Sequence, residues 1–487
     1  MPVFSSKRLS LAWRIALTVW MINALYATTY LGNPMSKSIL ALTVSLVDRG
    51  ALNIDPYAGI STDISWRRGH YYSGLAPGTS IAAIPYYLAL KPVLWFVATP
   101  ERERAADEMF LRARVGWKPS PRRLTLVALD LFVCVFGFAA LAGAMAAMFH
   151  AALARLYPEC TERQRLATVW LFAFGTLWFV YSPGVYHRVL STTLCFGAFL
   201  LALVEEERES PRRERVVVAG LALGFAIATT YEAALVAAVL YGWILARWRR
   251  RWPWGWMVAG TAMCVALLAI YHTICFGAPW RTPYSFRIAG SVAPPLFQEG
   301  GEVGGDALGR VYAFLFGTRF GFFFYSPVLI LAVAALWHAK QRQHRVTAYA
   351  TAAFGMFMVL FLFHFVSGYR GLPGEFGFRL MLPVIPFLML MAPLSYRWAW
   401  PWAAAALAGV SAMILGKGVM YGMHAGRPAF WGDYLDYAAR FGFANYTLAN
   451  LKDNVWPGLS PWMISAIHVA ALGVIVIILW RLIWRKE

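Results

Sequence analysis

The sequence predicts an all-α, polytopic membrane protein forming one integral unit over residues 1–487, and three observations carry that prediction. Hydrophobic residues make up 60% of the chain and charged residues 14%, with a mean hydropathy of +0.54. That composition cannot furnish a water-facing surface for a chain of this size, so the bilayer is the solvent. Apolar runs near the length of a spanning helix recur along the chain, too long and too continuous for barrel strands. The net charge of +20 sits in short clusters at the ends of these runs. This is the positive-inside pattern, and it removes nucleic acid as the reason for the basic balance.

The first span is expected over about residues 12–31, behind Lys7 and Arg8. No small-residue cleavage site follows it, so a retained signal-anchor helix is expected. Later spans are expected to start near Leu124, Leu166, Val189, Val216, Ala233, Trp254, Phe320, Val346, Arg379, Trp400 and Pro461, about 12 in all. Basic clusters at 155–165, 208–215, 247–251, 340–345 and 481–486 then share the cytoplasmic side with both termini. The outer side receives one long first loop, residues 32–123, and later segments at 275–319, 367–378 and 417–460. Cys134, Cys160, Cys195, Cys264 and Cys275 show no paired spacing, which implies neither a disulfide framework nor a metal site. No motif requires a cofactor; a divalent Mg or Mn ion is compatible with phosphate chemistry but demanded by no ligand spacing.

Segment 79–98 is apolar enough to span but carries Pro85, Lys91 and Pro92. A crossing here would invert every later basic cluster, so an interfacial or re-entrant helix on the outer surface is expected. That leaves Arg102, Arg104, Arg112, Arg114, Lys118, Arg122 and Arg123 outside, a positive run that suits anionic lipid or a substrate phosphate.

The first loop is polar where the rest is apolar. Residues 36–48 space their apolar side chains as a helix with one greasy side, lying flat and bringing Asp48 to the interface. Asp55-Pro56 and Gly59 are turn chemistry, which puts Asp55 and Asp63 on irregular backbone near the same surface. Each of the three aspartates could accept a proton from an incoming hydroxyl, and each equally fits a solvated loop acid. Arg67 and Arg68 offer forks for phosphate, while His70, Tyr71 and Tyr72 offer faces for a sugar ring or lipid tail. Asp130 and Glu232, with His187 and Arg188 at a span mouth, are ionisable groups at membrane depth or its edge. A substrate role and internal pairing are both open to them. Arg281, Arg319, Tyr369, Arg370, Glu375 and Arg379 lie among Gly, Pro and aromatics at later span mouths. Such arginines can clamp a phosphate or snorkel to headgroups.

Several stretches, in order along most of the chain, resemble a bacterial branch of the GT-C membrane glycosyltransferases, the superfamily that includes protein mannosyltransferases and the aminoarabinose transferases of lipid A. They are residues 46–50 (Leu-Val-Asp-Arg-Gly), 54–57 (Ile-Asp-Pro-Tyr), 69–73 (Gly-His-Tyr-Tyr-Ser), 76–78 (Ala-Pro-Gly), 276–279 (Phe-Gly-Ala-Pro), 319–327, and 376–379 (Phe-Gly-Phe-Arg) with Pro383 and Pro386. The resemblance implies a polyprenyl-phosphate sugar donor, used on the extracytoplasmic face of the bacterial inner (plasma) membrane, and inversion by direct displacement. The acceptor would be a lipid, glycan or protein. A first-loop acid would be the base, carried over onto Asp48 or Asp55 with Asp63 behind them, and Arg67, Arg68, Arg319 and Arg379 would hold the donor phosphate. His70, Tyr71, Tyr72, His187, Glu232, Arg281, Tyr369, Arg370 and Glu375 are the substrate-binding candidates.

Two departures bear on that expectation. Leu75 stands where relatives place a lysine before Ala-Pro-Gly, and residues 370–375 (Arg-Gly-Leu-Pro-Gly-Glu) replace a Trp-Gly-Gly approach. The rival reading is a transporter or flippase of lipid-linked sugars, with Asp130 and Glu232 as a polar track.

Overall fold

The computed structural model describes residues 10–28, 34–113, 119–120, 122–248, 253–288, 307–318, 321–339, 344–367, 376–396, 401–421, 430–454 and 456–484. Helices dominate, and the strands among the described residues form one two-stranded hairpin, Ile64–Arg67 with His70–Ser73. Seven of the described helices are long and apolar enough to cross a membrane by length and composition, with four shorter apolar helices beside them.

Each expected span corresponds to helical structure, but three are broken. The one expected near Leu166 stops at Gly175 and restarts as Leu177–Tyr181, because the Thr176 hydroxyl turns back to the Phe172 carbonyl and accepts from the Trp178 amide. The one near Phe320 is split into Phe322–Tyr325 and Leu329–Ala339 around Pro327. The one near Arg379 becomes three short turns, Arg379–Val384, Ile385–Met389 and Ala392–Ser395. Pro383, Pro386 and Pro393 remove amide donors there. Residues 379–395 are buried throughout, the condition under which non-regular backbone is tolerated at membrane depth.

The longest helix runs without interruption from Arg123 to Leu156, 34 residues, through one π-helical stretch at Val133–Phe138. It is about 51 Å long at 1.5 Å per residue, against a hydrocarbon core of about 30 Å. The first helix, Leu11–Leu25, packs antiparallel to it, and Cys134 Sγ reaches the Thr28 carbonyl at 3.3 Å, so the first helix ends level with residue 134. Residues 123–133 therefore project beyond it.

Gly78–Val97 is one continuous helix that runs along this projection. Its first residue touches the last turn of Arg213–Thr229, where a Cβ on Gly78 would lie 2.5 Å from the Ala228 carbonyl oxygen. Tyr86 packs on Phe132 and beside Gly137, and Lys91 meets Asp48 near the start of the long helix. Both of its ends thus lie on the side where the long helix begins. Pro34–Arg49 differs from the flat amphipathic helix expected for 36–48: residues 35–45 are buried on all sides. Its polar face is spent on the loop, with Ser38, Thr43 and Ser45 donating to the carbonyls of Asp63, Ser80 and Asn53.

Candidate functional site

Two charged centres stand on the side where the long helix begins. The first is buried and assembled from distant segments. Asp63 lies just before the hairpin, 8% exposed, and its Oδ1 is 3.0 Å from Nη2 of Arg287. Arg287 is carried there by residues 283–288, whose Pro283 carbonyl accepts from Ser65 at 2.7 Å and whose Arg287 pairs with Ser65 as an isolated antiparallel bridge. Arg188 donates to both carboxylate oxygens of Glu232 at 2.8 Å, and His364 Nε2 lies 4.0 Å from the same carboxylate. Tyr186 joins the groups: the Arg188 and Arg379 guanidiniums lie 5.8 and 5.9 Å from its ring centroid. The charge of Arg379 acts on Asp63, His187 and Glu232.

Burial pushes the Asp63 carboxyl above the usual carboxylate range, against the pull of Arg287 and Arg379. His187 Nδ1 and Arg287 Nε are buried and meet no hydrogen-bond partner among the described residues. Buried polar atoms are nearly always satisfied, so this centre retains donor capacity for a ligand.

The second centre lies in an open cleft of ≈ 1420 Å³ between Gly78–Val97, Pro100–Ala113 and the start of the long helix. Asp48 accepts from the Tyr87 hydroxyl at 2.7 Å and from Lys91 at 2.8 Å, and it is also paired with Arg122. Burial alone would raise its carboxyl; Lys91, Tyr87 and Arg122 outweigh that and hold it below the usual range.

The remaining expected residues that are described make contacts of their own. Asp55 lies 2.8 Å from His70 Nδ1 and accepts from the Tyr71 amide at 2.6 Å, which pins the returning hairpin strand to the preceding turn. Arg67 donates to the Cys275 carbonyl at 3.0 Å and lies over Phe286, docking the hairpin on the 275–286 segment. Gly277, at φ +82°, leaves the room that Arg67 occupies, since a Cβ there would collide with the guanidinium. Arg68 and Gly69 have φ of 49° and 84°, the signs a two-residue type I′ hairpin turn requires. Tyr72 packs edge-on against Phe276, and Arg281 is exposed. Arg319, Tyr369, Arg370 and Glu375 lie outside the described residues.

The structure thus brings Asp63, His187, Glu232 and Arg379 together, and keeps Asp48 and Asp55 elsewhere. Sequence reasoning missed Arg287, His364 and Tyr186 in the buried centre, and Tyr87, Lys91 and Arg122 as a nest for Asp48. His364 could have been found as an ionisable residue inside an apolar run. Arg287 sits in a stretch without periodicity and gives no such signal. Among the described residues no group of three His, Cys, Asp or Glu is placed to hold a metal ion.

The fold is shared with ArnT from Cupriavidus metallidurans bound to undecaprenyl phosphate, at a TM-score of 0.51 and 16% identity over 96% of this chain and 76% of that one. Looser matches are ArnT of the same organism in the apo state (0.47, 14% identity, 96% and 76%) and the apo oligosaccharyltransferase of Archaeoglobus fulgidus (0.40, 11% identity, 88% and 58%). No protein-family model matches the sequence, nor does any curated protein. The likeness at such identity is one of fold: this chain is a mostly helical, multi-pass membrane protein that shares its architecture with that ArnT structure.

Proposed function

We propose that the chain is an inverting glycosyltransferase of the bacterial inner membrane, with cytoplasmic termini, which moves a sugar from a polyprenyl-phosphate donor to a lipid, glycan or protein acceptor on the extracytoplasmic face. The observation that carries this reading is the convergence of Asp63, Arg287 and Arg379 in one buried place, supported by the fold shared with a protein whose structure holds undecaprenyl phosphate.

In this reading Asp63 is the base. Its carboxylate takes the proton of the acceptor hydroxyl as that oxygen attacks the anomeric carbon. The bond from that carbon to the phosphate oxygen breaks, and the electron pair leaves with the polyprenyl phosphate. The developing negative charge is met by Arg287 and Arg379, fixed cations in a desolvated setting where they act more strongly than in water. Asp63 is chosen over Asp48 because burial raises its carboxyl, and a base works best when its pKa approaches the working pH. Asp55 is committed to His70 and the hairpin. With Leu75 in place of a lysine, the phosphate grip falls to arginines supplied by later segments.

Mass spectrometry of surface glycolipids and glycans from a deletion strain tests the reading. One sugar should be missing, restored by the wild-type chain and not by Asp63→Asn. An unchanged glycan profile overturns it. Purified protein that moves a lipid-linked sugar between leaflets without transferring it decides for the flippase instead.

A further inference from the structure

We infer that the cleft beside Asp48 is a binding site for the headgroup phosphate of a membrane lipid, independent of the Asp63 centre and of the transferase reading. None of the residues that line the cleft belongs to the buried centre. The charges inside it do not cancel. Glu103 accepts from the amides of Leu124 and Thr125 and from the Thr125 hydroxyl, which ties it to the start of the long helix and away from the cations. Asp107 is paired with the buried Arg123. Two carboxylates, Asp48 and Glu103, are then left for three cations, Lys91, Arg122 and Arg104. Arg104 is exposed and makes no ion pair among the described residues. A phosphate is the chemistry that balances this set, through charge-assisted hydrogen bonds to the guanidinium and ammonium groups.

The apolar wall says which phosphate. Leu88, Lys91 and Trp95 follow one another at i, i+3 and i+7 on a single face of Gly78–Val97, so the cation is flanked by apolar side chains along the helix. Leu88 is 52% exposed and Trp95 82%, and both line the cleft. An acyl chain laid along that face would cover them while its headgroup reaches Lys91 and Arg104; a free phosphate has no apolar part to match them.

Native mass spectrometry of the full chain in detergent, titrated with dioleoylphosphatidylglycerol, dioleoylglycerol or inorganic phosphate, tests this. The phospholipid should be retained and the uncharged dioleoylglycerol lost. Lys91→Gln and Arg104→Gln should each weaken retention about fivefold, the effect of one cation near a membrane surface. Arg104 makes no hydrogen bond or ion pair among the described residues, so its variant should fold as the wild type does. Asp48→Asn should strengthen retention, because it removes the carboxylate that competes for the cations. Retention unchanged in both cation variants overturns the proposal. So does Asp48→Asn weakening retention as the cation variants do, the mark of a merely structural nest. Displacement of the phospholipid by inorganic phosphate at equal concentration makes the site one for a free anion and overturns the assignment to lipid.

Discussion

The two charged centres use the same residue types to opposite ends. Around Asp63 the carboxylate and its cations come from residues 63, 188, 232, 287 and 379, and the medium around them is protein. Around Asp48 the partners come from two neighbouring helices and stand half in the open, Lys91 being 49% exposed. Burial wins at Asp63 and raises its carboxyl; hydrogen bonds and nearby cations win at Asp48 and lower it. The difference teaches that a carboxylate–arginine pair does not define a role by itself. Both side chains are 11% exposed, and the partners separate them: Tyr87, Lys91 and Arg122 all bind the Asp48 carboxylate and lock it as an anion, whereas Asp63 has one ion pair to set against burial.

The largest effect that would break this contrast is on transfer. Asp63→Asn should lower the rate by about 10²- to 10⁴-fold, the usual contribution of a general base, with Asp48→Asn and Asp55→Asn well behind in the same assay of sugar transfer in vesicles. Equal losses at all three would erase the distinction. Next, Arg188→Met should cost about 3 kcal/mol or more, because Glu232 is left charged and poorly solvated. The double variant Arg188→Met with Glu232→Leu should recover most of it, read as thermal unfolding in detergent.

A pH profile sharpens the comparison further. Asp63 must be ionised to accept a proton, so kcat/KM falls as pH drops through its folded pKa, which lies above the ordinary carboxylate value of about 3.9. Arg287→Gln removes a cause that lowers that pKa, so the acid limb should move to higher pH. A limb that stays put shows that another group titrates. The smallest effect is expected at the open centre, where Lys91→Gln should change stability by less than about 1 kcal/mol, as partly exposed pairs do.

Fold class was legible because it rests on composition and run length, which tertiary contacts do not alter. The breaks at Thr176 and through 379–395 were not, since the apolar pattern of those runs is continuous and only the prolines of the second hinted at interruption. Periodicity shows the helix over 36–48 but not its surroundings: the helix is buried rather than flat on the membrane, with Ser38, Thr43 and Ser45 bonded to the loop. In the candidate site, Glu232 and His187 stand out as ionisable groups where charges are costly, and Arg379 as an arginine among Gly, Pro and aromatics at a span mouth. The choice among three aspartates was invisible, because their difference lies in desolvation, and desolvation of Asp63 depends on residues more than two hundred positions away.

The docking of the hairpin has a consequence in time. Arg67 binds the Cys275 carbonyl, 208 residues later in the chain. At a synthesis rate of about 5–20 residues per second, the hairpin has no platform for roughly 10–40 s after it is made. Through that interval Asp63 also lacks Arg287, so the nascent chain carries an unfinished, hydrated loop while its first helices insert. The centre can close only when the second half of the protein arrives. A chain truncated before residue 287 should therefore insert and yet leave the first loop open to protease.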